Sequence, residues 1–277
     1  MPYEIVAASL LTTADGRSTK ELRVLAPAVV AAWQPGQFVI VRVDEDGERI
    51  PLTVVGVVPE DGTIRLVVQE IGKTTGDLVR MRVGDSIADV CGPLGVPSEI
   101  ELYGTCVAVA GGYGSAAVLP IITGLAGAGN RVITILGART ESLLILADEL
   151  EGAGDSLLIA TDDGSRGTQG TVLDPLRELL ATTRVDRVIA IGPMRMMQAV
   201  ADATRAAGVA TVVSLNPIMV DGTGMCGACR VHIDGEVRFA CVDGPEFDAH
   251  SVDYDELAAR LGTYASEERA ALETHRG

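Results

Sequence analysis

Between residues 105 and 215 the chain repeats one unit: a short run of β-branched and apolar residues, a glycine-bearing turn, and a stretch with helical periodicity. Residues 106–110 run into Gly111-Gly112-Tyr113-Gly114 and a helix, and residues 131–136 precede a helix at 142–152. Residues 156–160 precede a helix at 171–182, residues 186–191 one at 193–208, and residues 211–215 close the series. Apolar strands alternating with helices of about 10–15 residues predict a parallel, doubly wound sheet. Parallel neighbours need a crossover that covers a sheet face, so few other folds accept this rhythm.

The part before it reads differently. In residues 3–98, β-branched runs at 38–43, 52–58 and 63–68 alternate with turn clusters such as Asp44-Glu45-Asp46-Gly47 and Pro59-Glu60-Asp61-Gly62. Short strands at that spacing predict a closed barrel. One helix interrupts it near 74–81, starting at Gly72-Lys73-Thr74-Thr75. Gly72-Lys73-Thr74 is not a nucleoside-triphosphate loop, because the glycine such a loop needs at position 67 is Val67. The expected domains are therefore 1–98, a β-barrel; 99–216, the α/β domain; and 217–277, a small C-terminal segment ending in a helix over 255–275.

Composition narrows the functions. Hydrophobic residues make up 47% of the chain but aromatic ones only 3%, so the cores must be built from Ala, Val, Leu and Ile. A net charge of −16 repels nucleic acid and anionic lipid. The apolar stretch 119–136 is broken by Gly124, Gly127, Gly129, Asn130 and Arg131, and the first residues carry no export pattern. The expectation is a cytoplasmic protein that binds neither nucleic acid nor membrane. Cys91 and Cys106 read as buried core cysteines.

In a doubly wound sheet, ligands bind beyond the carboxyl ends of the strands. Those ends carry Gly111, Gly112, Gly114 and Ser115; Gly137-Ala138-Arg139; Thr161-Asp162-Asp163-Gly164-Ser165; and Gly192-Pro193 followed by Met196-Met197. Singly, each has a plainer reading: turn geometry, a solvated arginine, an Asx turn, core methionine. Together, at successive strand ends, they outline one nucleotide site. The C-terminal segment adds Asp221-Gly222-Thr223-Gly224-Met225-Cys226-Gly227-Ala228-Cys229, answered by Cys241 across an Asp234-Gly235 hairpin. Plant-type 2Fe-2S sites run C-x4-C-x2-C and then a distant Cys, and Asp221 stands where the first Cys belongs. Zinc held by the three cysteines with His232 or Asp221 is the alternative. A disulfide would require a secreted context, which nothing marks.

Taken with Pro35-Gly36-Gln37-Phe38, Arg49-Ile50-Pro51-Leu52-Thr53 and Gly92-Pro93-Leu94-Gly95, these motifs resemble the ferredoxin-reductase superfamily. The cluster segment resembles the electron-transfer subunits related to that of dihydroorotate dehydrogenase. Asp221 and residues 243–248 are most similar to the small-subunit family of NADH-dependent reduced ferredoxin:NADP oxidoreductases, also called sulfide dehydrogenases. The resemblance implies FAD in the barrel, with the Thr53 hydroxyl at flavin N5 as the catalytic contact and Pro51-Leu52 along the ring. Val68, Gln69, Glu70, Gly72, Thr74 and Thr75 would hold the ribityl and diphosphate. The usual arginine would be residue 50, which is Ile50; Arg49 sits one place early. In the nucleotide domain, Tyr113 and Ser115-Ala116-Ala117 depart from the usual small residue and Ala-Pro.

The resemblance also implies a reaction. NAD(H), with NADP(H) left open, would exchange a hydride with FAD through Gly111, Gly112, Gly114, Ser115, Arg139, Asp162, Asp163, Gly192, Pro193 and Met197. A 2Fe-2S cluster on Asp221, Cys226, Cys229 and Cys241 would carry single electrons onward. The partner would be a larger, glutamate-synthase-like flavin and iron–sulfur subunit in a heterodimer, reaching ferredoxin indirectly. The electron-transfer subunit of dihydroorotate dehydrogenase is the alternative, and a non-redox zinc protein the second.

Overall fold

A computed structural model describes residues 3–276. Its contacts divide the chain into two compact units. The first holds the residues up to Val96 together with 217–243 and those from Asp253 onward; the second holds 97–216 and 244–252. The expected third segment, 217–277, is thus not a unit of its own.

In the first unit, β1 (Tyr3–Ala14) and β2 (Arg17–Leu25) form a long hairpin. Asp15 and Gly16 between them take φ of 53° and 69°, the left-handed values of a two-residue turn. α1 (Pro27–Ala32), β3 (Phe38–Arg42), β4 (Arg49–Val58), β5 (Thr63–Gln69), α2 (Lys73–Arg80), β6 (Ser86–Ile87) and β7 (Asp89–Leu94) follow. The strand order is β6-β1-β2-β5-β4-β3-β7. Its two edges, β6 and β7, are separated along the chain by Ala88 alone. Neighbouring Cα atoms lie about 3.8 Å apart, so the two edges are adjacent where the chain passes between them and the sheet is a nearly closed form of the expected barrel. Val24, Val39, Val41, Leu52, Val54, Leu66 and Val68 fill its interior.

In the second unit, β8 (Thr105–Gly111), α3 (Gly114–Gly127), β9 (Arg131–Ala138), α4 (Ala147–Ala153), β10 (Ser156–Thr161), β11 (Thr168–Gln169), α5 (Leu173–Thr182), β12 (Arg187–Ile191), α6 (Met194–Ala207) and β13 (Thr211–Ser214) alternate as expected. The helix predicted from 142 starts later, at Ala147, because a single 3-10 turn (Glu141–Leu143) and a left-handed Leu146 (φ 58°) precede it. Asp186 ties the unit's entry: its carboxylate accepts Thr105 N–H and Arg184 Nε–H, both at 2.9 Å. These bonds, the Thr105 amide first, hold it below the usual carboxylate range. A depressed folded pKa gives stability that is present above the unfolded value, about 3.9, and is lost as pH falls through the folded one. The melting-temperature gap between wild type and Asp186→Asn should accordingly be constant from neutral pH down to about 4 and close below it. A gap that persists undiminished in acid would refute that linkage.

The tail returns to both units. β14 (Arg230–Ile233) and β15 (Glu236–Phe239) form the predicted hairpin, with Asp234 and Gly235 at φ 51° and 78°. β16 (Glu246–Asp248) pairs antiparallel with β13, so the strand expected to close the sheet is covered by another. The second sheet therefore runs β11-β10-β9-β8-β12-β13-β16, seven strands where five were read. Two- and three-residue strands carry too little periodicity to read. The single helix expected over 255–275 is two, α7 (Tyr254–Leu261) and α8 (Ala265–Arg276). No helix among the described residues is long and apolar enough to cross a membrane.

Candidate functional site

The sheet order reverses direction between β8 and β12, and a crevice for a nucleotide opens beyond the carboxyl ends of strands at such a switch. The two turns there are built without side chains because they touch. A Cβ on Gly114 would collide with the Ile191 carbonyl, one on Gly192 would lie 3.1 Å from Gly111 Cα, and one on Gly111 would meet Met196 Sδ at 2.5 Å. Glycine at 114 and 192 is thus demanded by the close approach of two backbones, and at 111 by the Met196 and Pro193 side chains packed against it. Gly112, by contrast, is needed for its φ of 53°.

Other predicted residues of this unit are placed differently. Ser115 is fully buried, and its hydroxyl donates to the Gly112 carbonyl at 2.9 Å, so it braces the turn. Met197 is fully buried core, a correction to its assignment as a ligand contact; the neighbouring Met196 packs at the junction instead. A helix turns about 100° per residue, which decides between adjacent methionines. Asp163 accepts Ser165 N–H at 3.0 Å and Ser165 Oγ–H at 2.6 Å, the Asx turn of the plainer reading. Asp162 and Arg139 are exposed beside it, and Pro193 caps α6.

On the barrel, β4 sorts its residues by parity. Leu52 and Val54 point inward, leaving Arg49, Pro51 and Thr53 together on the outer face. The early arginine therefore shares a face with Thr53. Leu52 and Val68 have their side chains buried in the interior, so at these two positions the backbone is what faces outward. At the start of α2, Thr75 Oγ accepts the N–H groups of Ile71 and Gly72, and Thr74 donates to Glu48 at 2.9 Å. Glu70 is tied to the Ser18 backbone, with Gln69 half-buried beside it. Cys91 is exposed, not core, because it lies opposite Ile40 on the outward parity of β7. Cys106 is buried as expected, and burial pushes its thiol up to about 11.

The cysteine loop rests on this barrel. Gly222, Gly224 and Gly227 all have left-handed φ, and a Cβ on Gly222 would strike Leu94 and Ile40. Ile40 pairs with Pro51, and Phe38 with Thr53, in the β3–β4 register. Opposite residues of an antiparallel pair share a face, so the loop seats on the same outer face that carries Pro51 and Thr53. Cys229 and Cys241 are buried with their sulfurs 3.2 Å apart. Asp221 accepts Thr223 N–H and Cys226 N–H, both at 2.8 Å, while Cys226 is exposed. The four predicted ligands thus fall into two pairs. Among the described residues, no three side chains of the ligating types converge tightly enough to enclose an ion.

A profile for the iron-sulfur cluster binding domain of dihydroorotate dehydrogenase B matches residues 216–253. A Thermotoga maritima protein named as a homolog of the dihydroorotate dehydrogenase B (NAD(+)) electron transfer subunit is 51% identical over 247 residues, 89% of this chain and 87% of its own. The chain belongs to the dihydroorotate dehydrogenase B electron-transfer subunit family.

A probable electron transfer subunit of that enzyme from Methanopyrus kandleri is 33% identical, covering 80% of this chain and 82% of its own. A chain of the solved NADH-dependent reduced ferredoxin-NADP oxidoreductase superposes with a TM-score of 0.93 at 46% identity, over 100% of this chain and 99% of that one. The expected ferredoxin-reductase-like fold and the role of oxidoreductase electron-transfer subunit stand. The donor set fits the family's iron–sulfur group: soft thiolates select such clusters, and the glycine-wrapped loop leaves its amides free of side-chain cover. Burial, then the neighbouring Cys229, pushes the Cys241 thiol up to about 12. Sequence reading missed Glu48 at the α2 start, which no motif marks.

Proposed function

We propose that this family member passes electrons between NAD(H), FAD and a 2Fe-2S cluster, to or from a larger flavin and iron–sulfur subunit in a cytoplasmic heterodimer. The observation that carries the reading is the seating of the Asp221–Cys229 loop, through Gly222, on the outer barrel face of Pro51 and Thr53. A flavin exchanges a hydride with nicotinamide and releases electrons singly, which is the currency of an iron–sulfur cluster.

The chain's own residues have distinct tasks in this reading. Thr53 would donate or accept a hydrogen bond at the flavin, Arg49 and the α2 start would receive diphosphate, and the glycines at 111, 112, 114 and 192 would admit the dinucleotide. Cys229 with Cys241 would take one iron, Asp221 with Cys226 the other. Beside exposed Cys226, Met225 is 89% exposed, and Val220, Val237 and Val242 are exposed on the same segment. An apolar rim at the electron exit suits a protein partner. By family likeness that partner is glutamate-synthase-like and leads to ferredoxin and NADP(H).

The same family supports a second reading, electron supply from dihydroorotate dehydrogenase, and co-purification with one large subunit or the other decides between them. Anaerobically purified protein should show both flavin and iron–sulfur absorption; a colourless sample sinks the redox readings and leaves zinc. Asp221→Ala should lose or labilise the cluster with flavin retained, while Asp221→Cys keeps it at a shifted potential. Full retention with an unchanged spectrum in Asp221→Ala assigns the fourth ligand elsewhere.

A further inference from the structure

We infer that Arg260 is a positioning residue that sets the cluster's reduction potential through the peptide joining Ala228 to Cys229. The inference rests on the iron–sulfur reading above. α7 is fixed at its start, where Asp253 Oδ1 caps Glu256 N–H at 2.9 Å and Asp253 N–H donates to the His232 carbonyl at 3.0 Å. At its far end, Arg260 Nη2 donates to the Ala228 carbonyl at 3.0 Å. Arg260 Nε stands 3.6 Å from Glu256 Oε1, and Glu256 Oε2 stands 3.4 Å from His232 Nδ1. His232 Nδ1, Glu256 Oε2 and Arg260 Nε are shielded from water and make no hydrogen bond of good geometry.

A glutamate–arginine pair whose facing atoms are shielded from water adds little to the stability of a fold; apolar residues of similar volume do as well or better. Its orientation gives it another use. The Ala228 oxygen and the Cys229 N–H are opposite edges of one planar trans peptide, so a guanidinium on the oxygen fixes where that N–H points. It also polarises the peptide and strengthens the N–H as a donor. Ala240 N–H donates to the Cys229 carbonyl, and among the described residues no protein acceptor takes the buried Cys229 N–H. Hydrogen bonds to cluster sulfur are among the quantities that set its potential, and a donor with nearby positive charge favours the more negative, reduced form.

The test is an EPR-monitored redox titration of the full chain, with iron and flavin quantified beforehand. Arg260→Gln should keep flavin and cluster while disfavouring cluster reduction roughly tenfold, a fall of about 59 mV for a one-electron couple. Arg260→Lys keeps the charge but lacks the fork that spans Glu256 and Ala228, so its potential should fall by a smaller amount. Where Arg260→Gln cannot hold the cluster, Arg260→Lys decides alone. A lowered melting temperature with the wild-type potential in the variants that hold the cluster overturns the inference, because that is what a purely structural tie would give. Wild-type protein with no iron–sulfur signal on reduction overturns the proposed function itself, a separate outcome.

Discussion

Cys241→Ala should give a yellow protein without iron–sulfur absorption: flavin bound at wild-type stoichiometry, iron near zero, and electron delivery to a one-electron acceptor abolished while hydride transfer from nicotinamide to flavin persists. Losing an outer-shell partner of a metal ligand typically costs roughly 10- to 100-fold in affinity or activity, and losing a ligand costs more. Cys241 is only 1% exposed and sits against Cys229, so no solvent or nearby side chain replaces its sulfur. The fold should survive, because alanine is smaller and Ala240 N–H and Cys229 carbonyl still join the two strands at their base. Cys226→Ala is the contrasting variant: Cys226 is exposed, and water or an added thiol can reach the position, so partial reconstitution is expected. Iron analysis with visible spectra checks both. Full iron content in Cys241→Ala would remove that residue from the ligand set.

Gly114→Val should separate the two activities in the opposite sense, leaving flavin and cluster intact but nicotinamide binding severely weakened. The new Cβ would be driven into the Ile191 carbonyl, with Gly192 N at 3.1 Å. Both are backbone atoms, at the end of β12 and in the turn just after it, and cannot rotate aside as a side chain can. The turn after β8 must therefore lift away from β12 at the switch point. Relieving such a clash is worth about 1–3 kcal/mol, and because the dinucleotide needs the undisplaced turn, restoring it on binding should lower affinity by up to roughly 100-fold. Gly127→Ala, at the other end of α3 with nothing within 4 Å, is the matched control and should bind normally. Direct titration with NADH and NADPH reads the effect and also settles which is preferred. Equal affinity in Gly114→Val and wild type would place the nucleotide elsewhere.

Much of the architecture was legible because it rests on local periodicity. The β8-to-β13 alternation, the barrel, and the Asp234-Gly235 hairpin each follow from spacing and turn chemistry within about ten residues. The cysteine motif was legible for the same reason, since ligand spacing on one loop is a local property. Legibility failed where parity or a distant partner decides. Met197 and Cys91 were placed on the wrong side, because a motif or a local run says where a residue lies without saying which way its side chain points. Strand β16 was not visible, because three residues become a strand only when β13 is beside them.

Sequence alone determined the two sheet types, the glycine turns at the strand ends and the sulfur-rich loop, since each is written in neighbouring residues whose backbone preferences are set before any tertiary contact forms. Tertiary structure decided what those parts do for one another: which strands lie at the switch point, that the loop seats on the Pro51–Thr53 face of the barrel, and that Arg260, more than thirty positions after Ala228 in the chain, holds its carbonyl. Such contacts join residues far apart in the chain, and only the closing of a core selects them from the many pairings that local preference allows.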